Sequence, residues 1–594
     1  MRPRLLDDVL LVGVNKKAQR RYMNVCLDAG RFPRGRYGLT CGFLLLCPLL
    51  ALAQQVPTAG SLLQQMEQRR NEALSAVPQI VKTPAPPEMT VMTGPRVVVK
   101  SVRFVGNHLL SQTQLDAVVK GYLNRSLSFT EMQQAAVAVA QAYREAGWIV
   151  RAYLPRQEIA DGILTIQIVE ALFGGARLEG APATRVGTER LLRQVESAQA
   201  KGQPLNAALV DRALLLLEDM PGVLATGSLQ AGPDEGQSSL LLKLADKPLV
   251  SGELGADNGG GRATGPTRVI GTVSLASPGG FGDFASATLV HTQGSDYARL
   301  GYTVPVGYDG WRVGANTSWL RYKVITPETA ALDAHGTSAT QGLEASYPLI
   351  RARRQNLVLA LNYDHKSFDN RASGLVTTRY RLGEVSAGLS GNLIDAFGGG
   401  GSTGASLTLV GGKLDLDGSP NQDADAITTR TAGNFSKLRY SLSRQQVLRS
   451  DLTALAALSG QYSSKNLDSG EKLYLGGSSG VRAYPSSEAG GSDGMMVNLE
   501  LRKVFPANIT LTGFYDWGKV TVNHDNRFVG AAVLNDLSLR GAGIAMGWLA
   551  PAGVNLKATW ARRIGDNPNP SATGQDQDGT LIQNRFWLQA SLVF

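Results

Sequence analysis

Cysteine is nearly absent from this chain, and its few copies all lie near the start. They are Cys26, Cys41 and Cys47. Without the first 53 residues, no thiol remains for a disulfide framework, a zinc cluster or a cysteine nucleophile. Histidine is also scarce, and its copies are His108, His291, His335, His365 and His524. None of them has the spacing to a partner that a metal site or a catalytic triad requires, so the sequence predicts no catalytic, cofactor or metal site and no enzyme.

Charged residues and long apolar runs are also scarce in this sequence. Charged residues make up 18% of the chain, while 68 residues are glycine, which is typical of a large β structure with many turns. Residues 1–53 hold nine Lys and Arg against three Asp, so they carry +6 of the net +10. The remaining charge is too weak to indicate nucleic-acid binding. No phosphate-binding G-x-x-x-x-G-K-[ST] loop is present. After residue 53 no apolar run reaches the ~18 residues of a membrane-spanning helix.

Residues 1–53 predict an export signal with a long front end. Arg31, Arg34 and Arg36 form a positive region, and the stretch Leu39 to Leu52 is mostly apolar. Ala51-Leu52-Ala53 then fits the small-x-small cleavage pattern. The alternative is a membrane anchor, but the apolar run is shorter than the ~20 residues that a spanning helix needs.

Residues 54–77 predict one short polar helix, with Ser61 and Gln64 placed as a capping box. The segment 78–95 predicts an extended linker. Its prolines are Pro78, Pro84, Pro86, Pro87 and Pro95. A polar helix on such a linker is either the remnant of a disordered tail or a mobile plug, and the local sequence favours the tail.

Two small α+β units follow, at 96–170 and 171–246, each with the order β-α-α-β-β. In the first, one strand is expected over Val97–Val105, and Ser128 with Glu131 forms a capping box before an alanine-rich helix. The same order found twice is more specific than either copy alone. Each unit could still be a simple spacer, because neither has a pocket motif.

Residues 247–594 change to runs of about ten residues with a period of two, broken by turn residues. One run alternates as apolar Leu357, Leu359, Leu361 and Tyr363 against polar Asn356, Asn362 and Asp364. An apolar outer face and a polar inner face are typical of a membrane barrel, which must close because open edges leave unpaired backbone groups in lipid. We expect about sixteen antiparallel strands. The last strand places these apolar residues on one face: Phe586, Leu588, Ala590, Leu592 and Phe594. It is similar to the terminal assembly signal of bacterial outer-membrane barrels.

A glycine- and serine-rich stretch interrupts these strands and ends in Gly480, Val481, Arg482, Ala483 and Tyr484. A guanidinium cannot face lipid without a large cost, so Arg482 should point into the lumen and find an acid. The nearest strong candidate is Asp516, within Phe514-Tyr515-Asp516-Trp517-Gly518. The alternative is a solvated ion pair that contributes little.

These motifs resemble the outer-membrane transporters of two-partner secretion, the TpsB family of haemolysin and filamentous-haemagglutinin transporters. Val481–Tyr484 is similar to the family's V-R-G-Y loop motif, and Phe514, Asp516 and Gly518 match its F-x-D-x-G on an inner barrel strand. The resemblance implies an Arg482–Asp516 ion pair. Ala483 departs from the family glycine, so a backbone with positive φ is not expected there. The segment Gly147–Pro155 also resembles the family's first POTRA domain.

The resemblance implies an N-terminal plug helix, two periplasmic POTRA domains and an outer-membrane barrel in contact with lipid. It implies transport of a large unfolded exoprotein from periplasm to cell surface, without a cofactor, a nucleotide or nucleic acid. The POTRA domains would bind this partner, which is a haemolysin, an adhesin or a growth-inhibition toxin. An insertase that assembles other barrels is the main alternative, followed by a porin-like channel.

Overall fold

The computed structural model describes residues 56–74, 96–159, 161–486, 488–571 and 573–594. The predicted export signal at 1–53 and the predicted linker at 78–95 lie outside the described residues. Within the described part of the chain, no helix is both long enough and apolar enough to cross a membrane.

The first described element is helix α1, Ala59–Leu74. The predicted capping box is wrong by one helical turn: Thr58 and Ser61 form it, not Ser61 and Gln64. The Ser61 N–H donates to Thr58 Oγ1 over 3.1 Å, and the Thr58 N–H donates to Ser61 Oγ over 3.1 Å. Ser61 takes the place of the usual Glu or Gln in this box, so the common sequence pattern does not detect it. The helix therefore begins one turn before the predicted box.

The first small unit contains five strands and two helices. They are β1 (Arg96–Val99), β2 (Ser101–Val105), α2 (Gln112–Val119), β3 (Arg125–Ser128), α3 (Phe129–Glu145), β4 (Val150–Tyr153) and β5 (Ile163–Glu170). The single strand expected over Val97–Val105 is broken at Lys100, whose N–H donates to Gly162 O over 2.8 Å. As a result β1 pairs with β3, whereas β2 joins the sheet β2-β5-β4. The Ser128–Glu131 capping box is present.

The second small unit has the β-α-α-β-β order that the sequence predicts. Its elements are β6 (Leu172–Leu178), α4 (Thr188–Ala198), α5 (Ala207–Glu218), β7 (Val223–Ala231) and β8 (Gln237–Asp246). The sheet order is β6-β8-β7. The buried helix faces pack with the sheet around Leu191, Leu217 and Leu242.

Ion pairs join the second small unit to the turn between two later strands, β14 (His335–Arg351) and β15 (Gln355–Ala372). Arg351 binds Asp219 through two parallel hydrogen bonds of 2.6 and 2.7 Å. Arg353 binds Asp211 in the same manner, at 3.2 and 3.0 Å. Two-point pairs of this kind fix orientation as well as distance, so this unit is held directly against the base of the barrel.

The remaining strands form a closed barrel of sixteen antiparallel strands, which confirms the predicted fold class. They are β9 (Val250–Asp257), β10 (Arg268–Ala276), β11 (Phe284–His291), β12 (Ser295–Val306), β13 (Trp311–Lys323), β14 (His335–Arg351), β15 (Gln355–Ala372), β16 (Leu375–Asp395), β17 (Gly401–Asp415), β18 (Gly433–Arg449), β19 (Leu452–Ser463), β22 (Asp493–Phe505), β23 (Ile509–Thr521), β24 (Asp536–Leu549), β25 (Val554–Arg563) and β26 (Asn584–Val593). Two short strands that are not part of the barrel wall, β20 (Leu473–Tyr474) and β21 (Gly490–Gly491), pair with each other and lie between β19 and β22 in the sequence.

Side chains alternate across the barrel wall as the period of two predicts. On β13, Trp319 is 50% exposed on the outer face, whereas its neighbour Leu320 is 2% exposed on the inner face. The C-terminal strand closes the barrel by pairing with β9, from Gln589 opposite Asp257 to Val593 opposite Glu253. The outer face of the wall is therefore largely apolar, and its inner face can carry polar side chains.

Candidate functional site in the barrel lumen

The segment between β19 and β22, residues 464–492, folds back into the barrel, and we name it the luminal loop. Leu475, Val481 and Tyr484 of this loop are almost fully buried. They pack against inward side chains of β22, β23 and β24, namely Met496, Phe514, Val520, Leu539 and Ala545. The tip turns tightly at Gly480, where an added Cβ would lie 2.0 Å from the carbonyl oxygen of Leu475. Glycine is therefore required there.

The structure brings Arg482 and Asp516 together at this tip. Arg482 Nε donates to Asp516 Oδ2 over 2.8 Å, and Arg482 Nη2 donates to Oδ1 over 2.7 Å. The backbone N–H of Arg482 adds a third bond to Oδ2 over 3.0 Å. Both side chains are buried, so the pair offsets a desolvation cost of several kcal/mol for each ion. The two parallel hydrogen bonds between the Arg482 guanidinium and the Asp516 carboxylate also fix the direction of the loop tip.

Three further wall residues complete this contact: Glu500, Asn498 and Phe514. The sequence motifs include Phe514 but not Glu500 or Asn498. Glu500 accepts from Arg482 Nη1 over 2.8 Å, and Asn498 donates to Asp516 Oδ1 over 2.8 Å. The Phe514 ring centre lies 3.5 Å from the guanidinium carbon of Arg482. Strand register explains the grouping, because Asn498 lies opposite Asp516 and Glu500 opposite Phe514. The inward polar face of β22 was the available signal for Asn498 and Glu500.

Ala483 and Gly518 fit the tip into the wall. Ala483 is fully buried and is not among the described residues with positive φ, so alanine is compatible with the backbone there. A Cβ added to Gly518 would lie 2.9 Å from Leu475 Cδ2. Gly518 of β23 therefore leaves space for the loop side chain Leu475.

Tyr484 contacts a second ionic group on the far side of the tip. The guanidinium carbon of Arg563 lies 4.4 Å from the Tyr484 ring centre, and Arg563 donates to Asp576 over 2.6 Å. The indole N–H of Trp587 donates to the carbonyl oxygen of Arg482 over 2.8 Å. The tip is thus held from β23 on one side and from β25 and β26 on the other.

Glu488 links the luminal loop to the last extracellular loop, residues 564–583. One carboxyl oxygen accepts from the Asn567 amide, and the other accepts from the Gln577 N–H over 2.9 Å. Burial raises the pKa of Glu488 to about 8, and the nearby charges of Asp576 and Asp578 act in the same direction. The group is therefore largely protonated at neutral pH.

Helix α1 lies inside the barrel, which the local sequence did not predict. Ala59, Leu62 and Leu63 pack with inward residues of the wall, including Leu320, Tyr322, Phe368 and Tyr380. The Ala59 N–H donates to Asn370 Oδ1 on β15 over 2.8 Å. The partly buried Val56 and Met66 pack beside them. Polar residues separate these apolar side chains, so the helix has too weak an apolar stripe to reveal its burial from sequence.

The helix also contacts the luminal loop through neutral hydrogen bonds. The hydroxyl oxygens of Thr58 and Ser469 lie 2.8 Å apart. The Gln68 amide donates to Tyr474 O over 3.1 Å and accepts from the Tyr474 N–H over 3.4 Å. The helix and the loop therefore occupy the lumen as neighbours.

Two family models match this chain, one over most of the barrel and one over the first small unit. A model described as haemolysin secretion/activation protein ShlB/FhaC/HecB matches residues 236–547, which is more than half of the chain. A POTRA domain model of ShlB type matches residues 97–171, the first small unit.

Individual relatives are similar over most of their length. The heme/hemopexin transporter protein HuxB of Haemophilus influenzae is 25% identical over 573 residues, covering 94% of this chain and 98% of that protein. The outer membrane transporter CdiB of Dickeya dadantii is 26% identical over 526 residues, covering 84% and 87%.

The fold has a close counterpart among solved structures. CdiB from Escherichia coli matches with a TM-score of 0.69 and 21% identity, covering 91% of this chain and 100% of that chain. With the family match, these similarities favour a secretion transporter over a barrel-assembly insertase. The chain belongs to the haemolysin secretion/activation family ShlB/FhaC/HecB and is an outer-membrane transporter of two-partner secretion, which acts with a secreted exoprotein.

Proposed function

We propose that this transporter moves one large, unfolded exoprotein through the lumen of its own barrel. The partner is of the haemolysin, adhesin or growth-inhibition type, and its passage uses no cofactor, nucleotide or catalytic step. Helix α1 acts as a plug, and the luminal loop acts as a second obstruction that the Arg482–Asp516 contact latches in place.

The way in which the luminal loop is attached carries this proposal. Between residues 465 and 491, the described residues of the loop make no backbone-to-backbone hydrogen bond to a barrel strand. Side chains such as Arg482 hold the loop instead, and the described contacts of α1 with the wall are side-chain packing, hydrogen bonds and an ion pair between Glu67 and Lys366. Both elements can therefore leave the lumen without breaking the strand ladder that keeps the barrel closed.

The two small units receive the partner in the periplasm. The outer edge of β7 supports this role, because no described segment pairs with β7 other than β8. An extended chain can add to such an edge through backbone hydrogen bonds that do not depend on sequence. The ion pairs of Arg351 and Arg353 hold this edge close to the barrel entrance.

The test is secretion of one defined partner in cells that express or lack this chain. The candidate is a very large exoprotein encoded beside the transporter gene, with its own N-terminal secretion domain. Loss of that single protein from the medium, with other outer-membrane barrels assembled normally, is the expected result. A general loss of barrel proteins would indicate an insertase and overturn the proposal.

A porin-like channel gives a different outcome. Solute conductance that persists after deletion of residues 96–246, with no secreted protein lost, would favour that alternative. We expect the deletion to abolish secretion instead.

A further inference from the structure

A recess on the outer face of the barrel wall, centred on Gly383 of β16, is bordered by basic side chains. In the strand register, Gly383 lies between His365 of β15 and Lys413 of β17. Arg381 is the next outward residue of β16 toward the extracellular end. His365, Arg381 and Lys413 are exposed, and the residue after each of them is buried, so all three side chains point out of the barrel.

This recess, which we name the Gly383 recess, lies at the extracellular edge of the lipid-facing band. The second small unit binds the turn between β14 and β15, which places that turn on the periplasmic side. His365 lies ten positions after Gln355, the first residue of β15. At ~3.3 Å per residue and a strand tilt of ~40°, His365 is about 25 Å above that turn, which is the height of the apolar band of an outer-membrane barrel.

Apolar side chains lie on the membrane side of the recess. Tyr363, Val385 and Leu409 are 47%, 60% and 59% exposed on the outer face. A Cβ added to Gly383 or to Gly411 would have no described atom within 4 Å, apart from its neighbours in the chain. The wall therefore presents cations, an open hollow and an apolar surface, in that order from the extracellular side toward the middle of the membrane.

Arg381 and Lys413 lack the carboxylate partners that nearby cations have. Arg371 and Arg379 share Asp369, at 2.9 and 2.8 Å. By contrast, neither Arg381 nor Lys413 forms an ion pair within the described part of the chain, although Arg381 has an aspartate opposite it in the register. Two exposed cations above an apolar surface are suited to an anionic head group whose lipid chains lie below it.

We propose that the Gly383 recess binds the phosphorylated head group of the glycolipid that forms the outer leaflet of the bacterial outer membrane. Arg381 and Lys413 hold a phosphate on the head-group sugar, since both side chains bind phosphate oxygens well. The sugar occupies the hollow over Gly383, and the acyl chains lie along Val385 and Leu409. The lipid-facing position on the extracellular side favours this ligand over a soluble anion or a lipid of the periplasmic leaflet.

Native mass spectrometry of the intact transporter, with known amounts of added lipid, tests the site. The probes are bis-phosphorylated lipid A, the same lipid A without phosphate, and phosphatidylglycerol. We expect one lipid A to bind with a Kd at least about tenfold lower than that of either other lipid. Equal affinity for phosphatidylglycerol would overturn the assignment to the glycolipid. Equal affinity for lipid A without phosphate would overturn the role of the cations.

Charge variants locate the phosphate contact. Arg381→Gln with Lys413→Gln should raise the Kd for lipid A about tenfold, since it removes both contacts. Arg321→Gln with Lys323→Gln is the matched control, because it removes the same two charges from the outer face of β13, where both cations already have aspartate partners. This control should change the Kd by less than about twofold. Equal effects of the two double variants would indicate diffuse attraction by the rim and overturn the site.

Filling the hollow tests its shape without changing the charge. Gly383 is not among the residues with positive φ, and its outer side is open, so Gly383→Val should still give a folded barrel, judged by its heat-modifiable gel mobility. We expect the Kd for lipid A to rise severalfold, because the sugar loses its place. Gly271→Val adds the same side chain at an equally open position on β10 and should leave binding unchanged. Binding at the wild-type affinity by the folded Gly383→Val protein would overturn the recess as the head-group site.

Discussion

Ala483 of the luminal loop lies directly against Gly541 of β24, and the missing side chain of the glycine makes room for the alanine methyl group. A Cβ added to Gly541 would lie 2.4 Å from Ala483 Cβ, which is far inside van der Waals contact. Gly541 is also the strand partner of Asp516. The loop motif and the wall are thus complementary at the position where this chain departs from the family glycine.

This contact predicts that Gly541→Ala unseats the loop tip. The added methyl group would push Ala483 away from the wall beside Asp516 and stretch the Arg482 contact. Overpacking of this kind costs about 1–3 kcal/mol. We expect faster cleavage of the luminal loop by an added protease and reduced export. The double variant Ala483→Gly with Gly541→Ala transfers the methyl group to the other side and should restore both readouts. Failure of this rescue would contradict the packing argument.

Replacing Arg482 by alanine should impair export without preventing barrel assembly. Asp516 would remain buried with its charge and lose its partner, and breaking such a pair by removing one member costs about 3–5 kcal/mol. Arg482→Lys should reduce export almost as much, because an ammonium group cannot bind Asp516 and Glu500 in the same two-point geometry. Secretion of the partner is the measurement, with gel mobility as the control for assembly. Export at the wild-type level by a folded Arg482→Ala protein would exclude the latch.

The barrel and the small units were predictable because their signals are local and periodic. A two-residue alternation identifies a strand with a lipid face, as in the run from Leu357 to Tyr363, and the number of runs gave the sixteen strands. Arg482 and Asp516 were predictable as candidates because a buried cation needs an acid. The alternation along β22 places Asn498 and Glu500 only on the inward polar face. Their approach to Asp516 and Arg482 depends on the register of β22 against β23, which the sequence does not show.

The position of α1 could not be read from the helix itself. Its buried apolar residues are Ala59, Leu62 and Leu63, with Met66 partly buried, and their wall partners, such as Leu320 and Phe368, are distant along the chain. The buried ion pairs of Glu471 with Lys366 and Lys437 were not predictable for the same reason, since these residues become neighbours only when the loop folds back into the closed barrel. Contacts of this kind arise from topology and leave no periodic pattern in the sequence.

A disulfide between α1 and the luminal loop should block export reversibly. The hydroxyl oxygens of Thr58 and Ser469 are 2.8 Å apart, so cysteines at both positions are close enough to bond. Oxidation would hold the helix against the loop and keep the lumen occupied. We expect export by Thr58→Cys/Ser469→Cys to stop under oxidation and to return after reduction. Each single cysteine variant is the control, and full export by the completely cross-linked protein would exclude α1 as a plug.

Raising the pH should loosen the contact between the luminal loop and the last extracellular loop. Burial raises the pKa of Glu488 from 4.5 to about 8, so folding favours its protonated form. The stabilisation from this raised pKa is complete below pH ~4.5 and falls as the pH rises, until it is lost above pH ~8. A spin label at Ser479 should therefore become more mobile between pH 6 and 9. Glu488→Gln should remove this pH dependence, and an unchanged profile in that variant would assign the effect to another group.

The free edge of β7 permits a test that spares the fold. The Gly232 N–H donates to Gln237 O, and the Lys247 N–H donates to Gly222 O, so the even-numbered residues of β7 face β8. The odd-numbered Leu229 therefore directs its N–H toward the outer edge, away from the ladder.

Leu229→Pro should accordingly weaken capture of the exoprotein while leaving the second small unit folded. Proline removes one outward N–H and is tolerated on an edge strand, because no ladder hydrogen bond is lost there. Leu229→Ala keeps that N–H and removes only the side chain, so it is the matched control. We expect binding of the partner's secretion domain to the purified transporter to fall severalfold in the proline variant and to change little in the alanine variant. Equal losses in both variants would instead mean that the leucine side chain, and not an added strand, recognises the partner.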